Sequence, residues 1–101
     1  MNNPEFLVSI NVPPSIEAAI VDYLLMLDSE RGFNSYQVSA HHHQDFGLSK
    51  SEQVTGRQKK IRFEIYVAED ALSELLSQLK KDFSGLGIQY WVVPVADNGL
   101  I

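Results

Sequence analysis

The side chains with the most chemical potential in this chain are crowded into one stretch. His41, His42 and His43, all three histidines of the protein, stand consecutively, and Asp45, Lys50, Glu52 and Arg57 follow them. Imidazoles with a nearby carboxylate form a donor set suited to Zn, Cu, Ni or Co. In an extended chain His41 and His43 point one way and His42 the other. A closed site therefore needs a further ligand such as Asp45, or an imidazole from a neighbouring subunit. Metal binding requires neutral imidazoles, so protons compete with it. The same residues also read as a solvated polar loop, and both readings stand open at this point. Their internal position argues against an expression tag.

A second cluster is basic. Lys50, Arg57, Lys59, Lys60 and Arg62 are five of the eight lysines and arginines of an acidic chain, and such focusing attracts anions. Arg57 is the best candidate to hold a phosphate or carboxylate in two-point contact, because its planar fork matches those groups. Gly56, Gln58 and Lys59 beside it complete the candidate ligand-binding set. The competing reading makes these residues the solvated face and base of a strand, balanced by Glu52 and Glu64. RNA is a poor fit, since Lys59-Lys60-Ile61-Arg62-Phe63-Glu64-Ile65 lacks the interleaved glycines and aromatics of the RNA-stacking pattern. A net charge of −5 argues against nonspecific DNA binding, which needs excess Lys and Arg. No nucleic-acid partner is expected.

Enzymatic readings find little support. There is no G-x-S-x-G, no H-E-x-x-H and no G-x-x-x-x-G-K phosphate loop. Zero cysteines exclude thiolate catalysis, a disulfide framework and iron–sulfur ligation, and they suit a reducing cytoplasm. The pair Glu69-Asp70 is explained by a helix N-terminus. Ser39 and Ser49 lie near the histidines with nothing to orient them.

The elements that must position these groups follow from an internal repeat. Shifting the chain by 55 residues lays Phe6, Val8, Ile10 and Val12 on Ile61, Phe63, Ile65 and Val67, and Ile20 and Leu24 on Leu75 and Leu79. The same shift lays Gly32-Phe33 on Gly87-Ile88, and Tyr36 and Val38 on Trp91 and Val93. Held in register across strand, helix, glycine and strand, the match describes two βαβ units. Each half agrees on its own. Phe6 to Val12 and Ile61 to Val67 alternate as half-buried strands do, whereas Ile16, Ile20, Tyr23, Leu24 and Leu27, like Leu72, Leu75, Leu76, Leu79 and Phe83, form helical stripes. The spacing predicts strands near 5–12, 34–40, 58–68 and 88–96 and helices near 15–29 and 70–82. Pro13-Pro14-Ser15 starts the first helix, Asp70 caps the second, and Gly32 and Gly85 end helices.

Two right-handed βαβ units combine into an α+β, ferredoxin-like βαββαβ sandwich, a four-stranded antiparallel sheet with two helices on one face. A chain of 101 residues suits one such domain over 1–101, with a long loop at about 41–57 where function tends to sit. Residues 88–95 are apolar on both faces, and Leu7 and Tyr66 add bulk to the face the helices leave open. Such a patch predicts a homo-oligomer, with Tyr90, Val92, Tyr66 and Leu7 at its interface. The longest run without a charged residue, Phe83 to Ala96, is too short to cross a bilayer, and the first residues do not read as a secretory signal. No membrane insertion and a cytoplasmic location are expected.

At this level the chain resembles the PII-like signalling proteins. Val12-Pro13-Pro14, Gly32-Phe33, Glu52-Gln53-Val54-Thr55-Gly56-Arg57-Gln58 and Tyr90-Trp91-Val92-Val93-Pro94-Val95 resemble a small uncharacterised branch of that superfamily, whose members are often encoded beside heavy-metal efflux pumps. A looser likeness is to the CutA-type divalent-cation tolerance proteins. The resemblance implies a homotrimer with ligand clefts between neighbours. It also implies a mobile loop that reports ligand state to a partner, often a membrane transporter. Function is then regulation or ligand sensing linked to metal homeostasis, with Zn or Cu as the implied ion; the alternative is a tolerance or buffering protein using the loop histidines. The loop, Ala40 to Thr55, is expected to gain order only on binding metal. Two departures limit the likeness: Ser84-Gly85-Leu86-Gly87 lacks the lysine, and the tail lacks the basic residues, that hold ATP phosphates in nucleotide-binding PII proteins. No tyrosine lies between Ala40 and Arg57, so tyrosine uridylylation in the loop is not implied.

Overall fold

A computed structural model describes residues 4–27, 32–41 and 57–101. Four strands, β1 (Glu5–Val12), β2 (Phe33–His41), β3 (Arg57–Ala68) and β4 (Gln89–Val95), form one antiparallel sheet in the order β2-β3-β1-β4. Two helices, α1 (Glu17–Leu25) and α2 (Glu69–Phe83), connect them. This is the expected ferredoxin-like sandwich.

The core is built by the residues the repeat singled out. Val8, Ile10 and Val12 of β1 and Ile61, Phe63 and Ile65 of β3 are buried under Ile20 and Leu24 of α1 and Leu75 and Leu79 of α2. In the sheet Val8 faces Ile65, Ile10 faces Phe63 and Val12 faces Ile61, so one strand parity supplies the whole buried face. Tyr23 joins the two helices by an edge-on contact with Phe83, ring centroids 5.5 Å apart.

Element ends differ from the expectation where local chemistry intervenes. Proline at positions 13 and 14 gives a short 3-10 turn, Pro14–Ile16, closed by Ile16 N–H donating to the Pro13 carbonyl at 3.1 Å, before α1 proper begins at Glu17. The N-cap of α2 is Ala68 rather than Asp70. Glu69 and Asp70 instead occupy its first turn, where they complement the helix dipole, and Glu69 N–H donates to the Pro4 carbonyl at 3.0 Å, tying the helix start to the base of β1. At the other end Ser84 closes α2 and Gly85 turns at φ +79°, the left-handed conformation glycine adopts without strain.

The strand parity of β4 overturns one expectation. Tyr90 faces Ile10 and Val92 faces Val8, so both lie on the helix-covered side. Trp91 and Val93, opposite Ser9 and Leu7, occupy the open face instead. Both parities of this strand are apolar, so alternation alone could not choose between them.

Candidate functional site

The β2–β3 ladder outruns the sheet. β1 stops at the level of Ile61, where Val12 pairs with it, yet β2 and β3 continue through Val38–Lys60, Ser39–Lys59 and Ala40–Gln58 to His41–Arg57. These four pairs form a two-stranded ribbon that projects roughly 14 Å beyond the four-stranded body at the usual rise per residue. His41 and Arg57, expected within the loop at about 41–57, are therefore strand residues. His41, the first of the three histidines, stands exposed and directly opposite exposed Arg57 at the ribbon's end.

Alternation divides the candidate ligand set. Arg57 and Lys59 share one face of the ribbon with His41 and Ser39, whereas Gln58 lies on the other with Ala40. Gly56, His42, His43 and Asp45 lie outside the described residues, and so does the rest of the segment expected to form the loop. Among the described residues no three histidine, aspartate or glutamate side chains converge in a way that would hold a metal ion. His41 is thus the member of the proposed metal set whose position is described.

The same alternation removes two residues from the basic cluster. Arg62 lies on the open face of the sheet, where its Nε donates to Asn11 Oδ1 at 2.8 Å and its guanidinium sits 4.8 Å from the centre of the Trp91 ring. Lys60 shares its parity and is nearly buried. Ser9 and Asn11, also open-face residues, on β1, are buried as well. Tyr36 donates its hydroxyl to Glu64 Oε2 at 3.1 Å on the same face. The open face is therefore a polar band, Tyr36, Glu64, Arg62 and Asn11, beside an apolar end of Leu7, Tyr66, Trp91 and Val93.

A feature the sequence reading missed lies on the opposite side. The end of α2, the turn after it and β4 enclose an open cavity of about 200 Å³, lined by Leu76, Leu79, Lys80, Phe83, Ile88 and Tyr90 among others. The Lys80 ammonium sits 5.3 Å from the centre of the Tyr90 ring. Leu76, Leu79 and Phe83 read from sequence as an ordinary core stripe. Placing Tyr90 on the helix side, as the 55-residue repeat implies by laying Trp91 on Tyr36, was the signal that could have found the cavity.

The ferredoxin-like fold is one shared with solved PII-like proteins. The chain belongs to the family DUF3240, proteins of unknown function, whose model matches residues 3–101. A solved member of that family from Shewanella baltica superposes with a TM-score of 0.79 at 23% identity, over 100% of this chain and 99% of that one. PII from Arabidopsis thaliana, solved bound to citrate, gives 0.63 at 20% identity over 93% of this chain and 79% of its own. A putative PII-like signalling protein from Thermus thermophilus gives 0.62 at 20%, over 92% and 88%. No curated protein matches by sequence. No helix among the described residues is long and apolar enough to span a membrane.

Proposed function

We propose that this chain is a PII-like regulatory protein of the cytoplasm, a homotrimer of one-domain subunits, that senses a ligand at the tip of the β2–β3 ribbon and reports it to a protein partner. The observation that carries this reading is the His41–Arg57 pair at the end of a ribbon extending four residue pairs past the sheet. An arm that ends in an imidazole and a guanidinium, groups suited to a metal and an anion, and bears the long connection beyond suits a part that meets a partner more than a part that stabilises a fold. The likeness of the fold to PII-like signalling proteins supports the same reading.

The ligand set is His41, His42, His43 and Asp45 for a first-row metal such as Zn or Cu, with Arg57, Lys59, Gln58 and Gly56 for an accompanying anionic group. Three copies of the arm supply nine imidazoles, which offsets the opposite direction of alternate histidines within one chain. The partner is a membrane transporter of the heavy-metal efflux class. No catalytic residue is assigned. The trimer packs through the open sheet face, at Leu7, Tyr66, Trp91 and Val93.

The test is affinity purification of the full chain from cells grown with and without excess Zn or Cu. A partner that is retained under one condition and lost under the other supports regulation. Metal retained with no partner under either condition overturns regulation in favour of buffering.

A further inference from the structure

The cavity between the end of α2 and β4 has the size, walls and charge of a site for a small organic anion. We propose that it binds a monocarboxylate built on a single aromatic ring, with the ring in the hollow and the carboxylate at Lys80. This site is separate from the ribbon tip and does not depend on the reading given above.

Size sets the first limit. The hollow holds about 200 Å³, below the range of roughly 300–1,000 Å³ usual for drug-sized and cofactor sites and somewhat above the roughly 150 Å³ of an apolar cavity that takes up benzene. One ring with a small polar group fits it, and a nucleotide does not.

The walls set the second limit. Leu76, Leu79, Phe83 and Ile88 supply hydrocarbon, and such surface gains from being covered. The Phe83 and Tyr90 rings in the lining favour an aromatic guest over an aliphatic one. Gly85 and Gly87, also in the lining, turn at φ +79° and +75°, a conformation glycine adopts without strain. Neither presents a side chain, and a Cβ at either would meet nothing within 4 Å, so the hollow stays open beside the turn.

Charge sets the third. Lys80 is the one cation among the described residues of the lining, and no acidic residue joins it there. Its ammonium sits 5.3 Å from the centre of the Tyr90 ring, an attraction that keeps the charge at the cavity. Leu76, Ser77, Phe83 and Ser84, one helical turn away on either side, carry no charge, so the face of α2 around Lys80 offers no carboxylate to neutralise it. One ammonium balances one carboxylate, whereas a second would lie against hydrocarbon without a partner. Ser84 and Tyr90 add hydroxyl donors to the lining. Tyr90 lies on the helix side of the sheet, opposite in parity to Trp91 and Val93, so subunits packing through the open face leave the cavity accessible.

The test is titration of benzoate into the isotope-labelled full chain, followed by the methyl NMR signals of Leu76, Leu79 and Ile88. Benzyl alcohol serves as the neutral counterpart and hexanoate as the aliphatic one. The expected result is a saturable shift at these methyls, with benzoate bound severalfold more tightly than either comparator. Lys80→Met removes the charge from an exposed position. It should weaken benzoate severalfold and leave benzyl alcohol and the melting temperature unchanged. No saturable shift at the cavity methyls overturns the site. Equal affinity for benzoate and benzyl alcohol overturns the role of Lys80, and hexanoate bound as tightly as benzoate overturns the aromatic class.

Discussion

Strands β2 and β3 run through two regions built on different terms. Within the four-stranded body the inward residues Ile61, Phe63 and Ile65 of β3 are buried: Phe63 is wholly inaccessible and tilts against Phe33 with ring centroids 6.0 Å apart. Four pairs further on, in the ribbon, His41, Arg57 and Lys59 are exposed. The body's residues are fixed by packing, whose loss leaves a cavity, while His41, Arg57 and Lys59 of the ribbon bury little surface. Side-chain substitutions should therefore separate stability from binding along the same two strands.

The largest effect is expected in the body. Phe63→Ala should lower the unfolding free energy by about 3–5 kcal/mol, a large share of what a small domain has, measurable as a reduced urea midpoint. Arg57→Ala or Lys59→Ala in the ribbon should move stability by no more than about 0.5 kcal/mol, and a loss as large as that of Phe63→Ala would erase the distinction between the regions.

The open face gives an intermediate case. Trp91 is the chain's single tryptophan and is stacked with Arg62. Its fluorescence should shift to longer wavelength on dilution as the assembly dissociates, and Trp91→Ala should weaken association at least tenfold in light scattering. An emission maximum independent of concentration across an observed dissociation would place the interface elsewhere.

The smallest effect concerns Tyr23. Burial, reinforced by the charges of Asp82 and Glu74, raises its hydroxyl pKa above the usual 10. The unfolded chain then ionises first, so this contribution is full below pH 10 and is lost as pH rises above it. Tyr23→Phe should flatten that part of the alkaline stability profile; a parallel decline in both proteins would assign the loss to other groups.

Much of this was legible because the repeat and the alternation point the same way. The 55-residue shift pairs Ile20 with Leu75 and Leu24 with Leu79, and these are the four buried helix residues. It also lays Trp91 and Val93 on Tyr36 and Val38, all four on the open face, a better guide to β4 than its uniformly apolar composition. The basic cluster misled because nearness in sequence is not nearness on a strand: successive residues face opposite ways, and Arg62 is engaged with Asn11 and Trp91. The cavity carries no local signature, since a turn closes it from residues that otherwise read as core. The ribbon's length depends on where β1 ends, a fact of pairing that no single strand states.

The most direct test of the ribbon as a metal sensor is calorimetric titration of Zn or Cu into the full chain and into the His41→Ala, His42→Ala, His43→Ala triple variant. The predicted result is that the triple variant loses metal binding while its melting temperature without metal stays nearly unchanged, because the described member of the set, His41, stands exposed at the ribbon tip. Equal metal affinity in the two proteins would contradict the sensor and leave the histidines as solvated residues beside Arg57.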